Sequence, residues 1–279
     1  MSEKAPVVAP AGQPGLSQAE SIVGMISTAR RRASLRFRLT FIATWLVIIG
    51  ALALSLSGNF DVGFVQEWLL YILGGIGITV IVAISSIAIA VVFAFLGALG
   101  RLSAHATIYA TASLYVSLVR GTPLIVQIIF VYLALPEIIP AAAKIPTIYL
   151  GVFALAFNYG AYMTEIFRAG IQAVPRGQRE AAQALGMPES LIMLRIVLPQ
   201  AIRIVIPAIG NEFIAMIKDS ALVSVISVQE LLYRAQRAGA QDFNTFEALT
   251  VAALVYWGLT MIFSIFQERL EKRMARGDR

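Results

Sequence analysis

The chain has 279 residues, of which 58% are hydrophobic and only 14% charged, with a formal net charge of +6 and a mean hydropathy of +0.79. Soluble domains carry about 25% charged residues, so a soluble enzyme is excluded and an all-α polytopic membrane protein is the expected fold class. The chain lacks cysteine, which rules out disulfides and thiolate metal sites, and its single histidine, His105, has no companion ligand nearby and reads as an interfacial residue.

Residues 1–38 form a polar arm rich in Ala, Pro, Gly and Ser that closes on Arg30, Arg31, Arg32, Arg36 and Arg38. The expectation is a disordered, basic cytosolic arm ending in a positively charged anchor, not a nucleic-acid binder. The first apolar run starts too deep for an ordinary cleavable signal and lacks a clear cleavage site. Residues 39–56 carry no charge and are about long enough to cross a bilayer. Residues 68–100 are uncharged for longer than one upright span needs, so that segment tilts or extends beyond the membrane. A third segment, 109–135, is broken by Arg120-Gly121-Thr122-Pro123, and a fourth, 148–164, closes on Glu165 and Arg168.

The stretch 180–199, EAAQALGMPESLIMLRIVLP, is more polar than its flanks and reads as two short helices outside the bilayer core. Glu180 to Leu185 are mostly good helix formers. Gly186 suits the left-handed turn that ends a helix. Pro188 suits the first turn of the next, with Glu189 near its positive end. Ala181, Ala182 and Ala184 offer little bulk, so another protein's backbone can come close. The fifth span, 196–217, is unusually polar, with Arg203, Asn211 and Glu212 between Pro199, Pro207 and Lys218. Residues 220–232 are too short to cross and read as a re-entrant or surface segment on the far side; 246–266 is the sixth span.

Six spans put both termini on one side, and basic residues choose it. The arm has six Lys/Arg, residues 171–195 three and the tail five; the opposite segments 57–67, 137–145 and 218–245 have none, one and three. The termini and the 171–199 loop are therefore expected in the cytosol.

Charges within spans are costly and mark cavities or pathways. Arg168 and Arg203 read as anchors near the cytosolic face. Arg120 stays open between a cavity and the interface, and Glu165 between a buried ion pair and a role in translocation. Glu212 and Asp219, seven residues apart, share a helix face with Lys218 beside them. They offer an acid for an α-ammonium and a cation for an α-carboxylate; the alternative is an ion pair that closes an outer gate. Asn158 and Gln127 are uncharged hydrogen-bonding groups on neighbouring spans.

Glu180-Ala181-Ala182, three residues, Gly186, nine residues, then Ile196-Val197-Leu198-Pro199 matches the EAA signature of ABC importer permeases. From about Tyr71 to Glu271 the chain resembles their polar-amino-acid subfamily, which includes histidine, glutamine, glutamate and arginine systems. The residues that carry this are Arg120-Gly121-Thr122-Pro123-Leu124 with Gln127, and Ala161 through Arg168. To these add Pro175-Arg176-Gly177-Gln178, Leu198-Pro199-Gln200-Ala201 with Arg203, and Asn211-Glu212-Phe213 through Lys218-Asp219-Ser220. The resemblance implies a type I importer transmembrane domain over 66–271, with an extra N-terminal span and a tail at 272–279. It implies a coupling loop, 171–199, whose Glu180, Ala181, Ala182, Gly186 and Pro199 engage an ABC ATPase dimer. It also implies a second, identical or homologous permease, a periplasmic amino-acid-binding protein, and a place in the bacterial inner membrane. Glu212, Lys218, Asp219, Asn158 and Gln127 are the expected substrate contacts, with Arg120, Glu165, Arg168 and Arg203 as structural or pathway charges. No metal or catalytic residue is expected. The chain has no Gly-x-x-x-x-Gly-Lys-Ser/Thr loop, so ATP and magnesium belong to the ATPase. An intramembrane enzyme would need a nucleophile and base or clustered ligands that the spans lack, and a scaffold without transport leaves the in-span charges unexplained. Opines, cystine-like compounds or other small zwitterions are the alternative cargo.

Overall fold

The computed structural model describes residues 60–275 and, ahead of them, Val47 alone. The expected arm at 1–38, almost all of the expected span at 39–56 and the end of the tail lie outside the described residues.

Ten helices follow in chain order, with no strand among the described residues. Helix α1 (Val62–Leu73) and α2 (Ile76–Arg101) meet at a tight Gly74-Gly75 turn. Then come α3 (Ala106–Arg120), α4 (Leu124–Ile138), a 3₁₀ turn at Pro140–Lys144, and α5 (Thr147–Gln172). The polar loop supplies α6 (Arg176–Ala184) and α7 (Glu189–Ile192), which runs through a π turn at Met193–Val197 into α8 (Leu198–Asp219). A 3₁₀ segment, Ser220–Ile226, precedes α9 (Leu231–Gln241) and α10 (Thr245–Ala275).

Three stretches, Val62–Arg101, Glu189–Ile226 and Thr245–Met274, are long and apolar enough to cross a membrane. The pair α3–α4 makes a fourth if it counts as one broken span, bent by 104°. The bend has a local cause: Pro123 donates no backbone hydrogen bond and disfavours helix in the residue before it. The expected span 148–164 is instead the first part of the 26-residue α5, which carries Glu165 and Arg168 inside the helix. α5 is not among the most apolar stretches because it is central. It buries Asn158, Tyr159 and Thr164 together with Gly151 and Gly160 rather than offering aliphatic side chains to lipid.

α2 and α5 form the heart of the bundle. α2 buries Thr79, Ala83, Ser86, Ala90, Ala94 and Gly97, small residues three or four apart that make one stripe. In a bilayer no hydrophobic force drives helices together, so close approach of small side chains does that work. Gly97 is the clearest case: a Cβ there would stand 2.2 Å from the Thr164 hydroxyl of α5. A second core joins Phe64 and Ile72 of α1 to Leu231 and Ala235 of α9 and Ala248 of α10. At its edge Glu230, fully buried, caps α9 by accepting from the Tyr233 N–H (2.8 Å). The same carboxylate accepts from the hydroxyls of Thr79 (3.3 Å) and Tyr256, so one acid ties α2, α9 and α10 together.

Candidate functional site

The α3–α4 elbow is braced from within. Gln127 lies one turn into α4 and donates to the carbonyls of Val119 (2.8 Å) and Thr122 (3.2 Å) and to the Thr122 hydroxyl (2.7 Å). It thereby satisfies carbonyls that the broken helix leaves without partners. Its own oxygen accepts from Asn158 of α5 (3.1 Å), which locks the elbow against the central helix. Arg120, the last residue of α3, lies with its guanidinium 5.2 Å from the centre of the Tyr162 ring, a cation–π arrangement.

Tyr162 follows Asn158 by one turn and continues its face of α5, while Tyr159, the next residue, is turned about 100° from it toward α8. Tyr159 is buried and donates its hydroxyl to Asp219 (2.8 Å) at the end of α8. Glu212 lies two turns earlier on α8. Together these elements wall a cavity of about 460 Å³ lined by Arg120, Thr122, Asn158, Tyr159, Glu212 and Asp219 among others. That is the size of a small-ligand pocket. One guanidinium and two carboxylates therefore face a common space between α3, α5 and α8. No ion pair joins Arg120 to either acid, nor Glu212 or Asp219 to Lys218, among the described residues. The charges are thus free to engage a ligand rather than one another.

The structure brings Glu212, Asp219 and Asn158 to the cavity and leaves two other expected contacts outside it. Lys218 is exposed and does not line the wall. One residue before Asp219 on the helix, it points about 100° away. The cation in its place is Arg120, 98 positions earlier in sequence but brought here by the elbow. Gln127 does not line this cavity either; its amide is spent on the brace. Thr122 and Tyr162 stand in the sequence motifs without an expected site role, and Tyr159 was not singled out. Tyr162 had a signal, its one-turn spacing from Asn158.

Glu165 sits within an ion network and away from the cavity. It accepts from Arg168 one turn on (2.9 and 2.7 Å) and from Arg101 at the end of α2 (3.2 Å). Arg101, unremarked in sequence, also donates to Ser113 (2.6 Å) and lies 5.2 Å from the centre of the Tyr109 ring, so it joins α2, α3 and α5. Of the two readings left open for Glu165, the ion pair is the one the geometry displays. Glu165→Ala would leave two half-buried guanidinium groups without their acceptor. The expected cost is about 1–3 kcal/mol, visible as a lower Tm of the purified protein, with KM for any cavity ligand unchanged. An altered KM at unchanged Tm would contradict this. Arg203 is exposed on α8.

The polar loop is a self-contained unit. α6 ends in a Schellman turn: the Gly186 N–H meets the Gln183 carbonyl (2.9 Å) and the Met187 N–H the Ala182 carbonyl (3.1 Å). Gly186 has φ +74°, the left-handed region. Pro188 is the residue that caps α7 from outside, one place before the first turn expected for it. Ala182 is buried with Val174, Ile192 and Val197, so it holds the loop together instead of presenting itself outward. Glu180, Ala181, Ala184, Gly186 and Pro199 are exposed, and Leu185 is 82% exposed at the tip. Pro199 has no N–H to give, which fits the π turn just ahead of it, where the Leu198 N–H reaches back five residues to Met193.

The sequence model of the family described as binding-protein-dependent transport system inner membrane component matches residues 90–276. The arginine transport system permease protein ArtQ of Bacillus subtilis is 36% identical over 220 residues, 79% of this chain and 100% of that one. The L-cystine transport system permease protein TcyB of the same organism is 37% identical over 204 residues, 73% of this chain and 86% of its own. A crystal structure of an amino acid ABC transporter with histidines superposes with a TM-score of 0.72 at 37% identity, covering 77% of this chain and 99% of that one. The MetNI methionine ABC transporter, at 18% identity and a TM-score of 0.58, shares the fold; 76% of this chain and 97% of that one are covered.

Proposed function

Because this chain belongs to the family of binding-protein-dependent transport system inner membrane components, we propose that its cavity carries polar amino acids through the membrane. The chain is the permease subunit of an ABC importer for polar amino acids. The observation that carries the site assignment is the unneutralised set of charges around one small cavity. Arg120 takes the α-carboxylate, with Tyr162 beneath it. Asp219, oriented by Tyr159, and Glu212 take the α-ammonium and any further positive group. Two carboxylates against one guanidinium leave the site negative, which favours a cationic side chain over an acidic one. Asn158 offers a neutral hydrogen-bonding group, and Gln127 acts indirectly by holding the elbow that carries Arg120.

The chain supplies no phosphate loop of its own, so ATP and magnesium are bound by an ABC ATPase dimer. That dimer meets the exposed side of the 171–199 loop at Glu180, Ala181, Gly186 and Pro199, with Leu185 and Ala184 as close-contact surface. ATP-driven closure moves two such loops, one from each of two permease subunits, and tips the spans between outward-open and inward-open states. A periplasmic binding protein delivers the amino acid. The distribution of Lys and Arg supports termini and coupling loop in the cytosol, and the family supports a bacterial inner-membrane location.

The test is uptake of labelled amino acids by proteoliposomes holding the assembled transporter, with unlabelled arginine, glutamine, glutamate and cystine as competitors. ATP-dependent uptake with arginine as the strongest competitor is expected. Cystine or an opine as the strongest would keep the importer and move the cargo to larger zwitterions; no ATP-dependent uptake would refute the importer. Lys218→Ala, run alongside, leaves KM within about twofold, as expected for an exposed change away from the cavity. A tenfold rise would return Lys218 to the site.

A further inference from the structure

A second cavity, of about 690 Å³, lies where α2 and α5 end beneath the coupling loop, and the transport mechanism makes no use of it. One wall is apolar: Leu102, Ile171, Val174 and Val197. The other carries Arg176 and Arg179 of α6, with Glu189 of α7 between. Glu189 is already engaged. Its Oε1 lies 3.3 Å from the Arg179 Nε and its Oε2 accepts from Gln183 (3.3 Å). The Arg179–Glu189 contact is an ion pair without hydrogen-bond alignment, so the buried Nε of Arg179 is left with no acceptor. It is the single buried side-chain donor in that condition among the described residues. The Arg179 side chain is 40% exposed, and its guanidinium stays available to the cavity it lines. Arg176 is exposed and has no ion-pair partner among the described residues, so the cavity keeps one uncompensated positive charge.

We propose that this cavity binds the phosphate of an anionic phospholipid headgroup, with Arg176 and Arg179 as donors and the apolar wall against the glycerol and upper acyl chain. A free phosphate would use the arginines but gains nothing from Leu102, Ile171, Val174 and Val197. A zwitterionic lipid would bring its cation against Arg176. The position at the ends of two membrane helices is where a headgroup of the same leaflet lies, and basic pockets between spans on the cytosolic side select such lipids. The inference rests on the cytosolic placement of the coupling loop proposed above. A lipid held here would brace the base of that loop against α2 and α5.

The experiment uses the full chain assembled with its ATPase in nanodiscs of equal phosphatidylglycerol and phosphatidylcholine. Native mass spectrometry then counts the phosphatidylglycerol retained. Arg176→Gln breaks no ion pair and should cut retention about 5-fold; adding Arg179→Gln should cut it further. Arg273→Gln, on the exposed end of α10, should change nothing. Equal retention in all variants, or an equal loss with Arg273→Gln, overturns the proposal. Complete displacement by inorganic phosphate also overturns the lipid assignment and moves the ligand to soluble phosphates. Uptake of labelled amino acid by the same complexes is measured separately, so failure of the transport reading shows as absent uptake whatever lipid is retained.

Discussion

Arg120→Ala is expected to raise the KM for amino-acid uptake by about 10- to 100-fold, the range set by removing one charge-assisted hydrogen-bonding group from a ligand carboxylate. Maximal velocity per assembled transporter should fall much less, because a guanidinium on the cavity wall bears on ligand binding and not on the ATPase. Arg120 is the cation on the cavity wall, it pairs with neither Glu212 nor Asp219, and the Tyr162 ring fixes its direction. Arg120→Lys keeps the charge but loses the planar fork and the stacking on Tyr162, so it should recover only part of the affinity. Substrate titration of uptake with both variants decides the matter. An unchanged KM for Arg120→Ala would remove the carboxylate site from this cavity. The reciprocal variants, Glu212→Gln and Asp219→Asn, should weaken cationic amino acids more than neutral ones, because they remove the negative excess.

Gly186→Val should separate ATP hydrolysis from transport. At φ +74° a side chain with a Cβ is strained by about 1–2 kcal/mol, and a β-branched one is worse placed still. Space is not the issue, since a Cβ at Gly186 would meet nothing within 4 Å. The strain falls on the Schellman turn that sets the angle between α6 and α7, so the population of correctly closed loops should drop by about 5- to 30-fold. Uptake at saturating substrate should fall by a similar factor while the complex still forms and hydrolyses ATP. Asparagine tolerates the left-handed region better than other side chains, so Gly186→Asn should retain most of the coupling. Paired measurement of ATPase rate and uptake tests this. If valine and asparagine behave alike, the turn geometry is not what transmits the motion.

Much of this protein was legible in its sequence because a bilayer imposes strong rules. Long uncharged runs mark helices that satisfy their own backbone hydrogen bonds, and the break at Arg120-Gly121-Thr122-Pro123 follows from what proline and glycine do to a helix. The turn at Gly186 was readable for the same reason: a left-handed residue has few candidates. Glu212 and Asp219 share a face by helical period alone. Each of these is a local property of the chain.

What the sequence could not decide was which distant groups share a space. Lys218, next to Asp219, looked like its natural complement, but adjacent residues on a helix diverge by about 100° and Lys218 ends exposed. Arg120 faces the cavity because a 104° elbow, tied by Gln127 to Asn158, delivers the end of α3 beside α5. Ala182 looked like contact surface from its size, yet the packing of α6 on Ile192 and Val197 turns it inward. Glu165 could have served ligand or structure; Arg101, 64 residues away, engages it in an ion pair at the end of α2. Local dihedral preferences and periodicity set the helices and the turns. Side-chain direction across helices was settled by close packing of small residues between α2 and α5, a relation between segments that no single stretch contains.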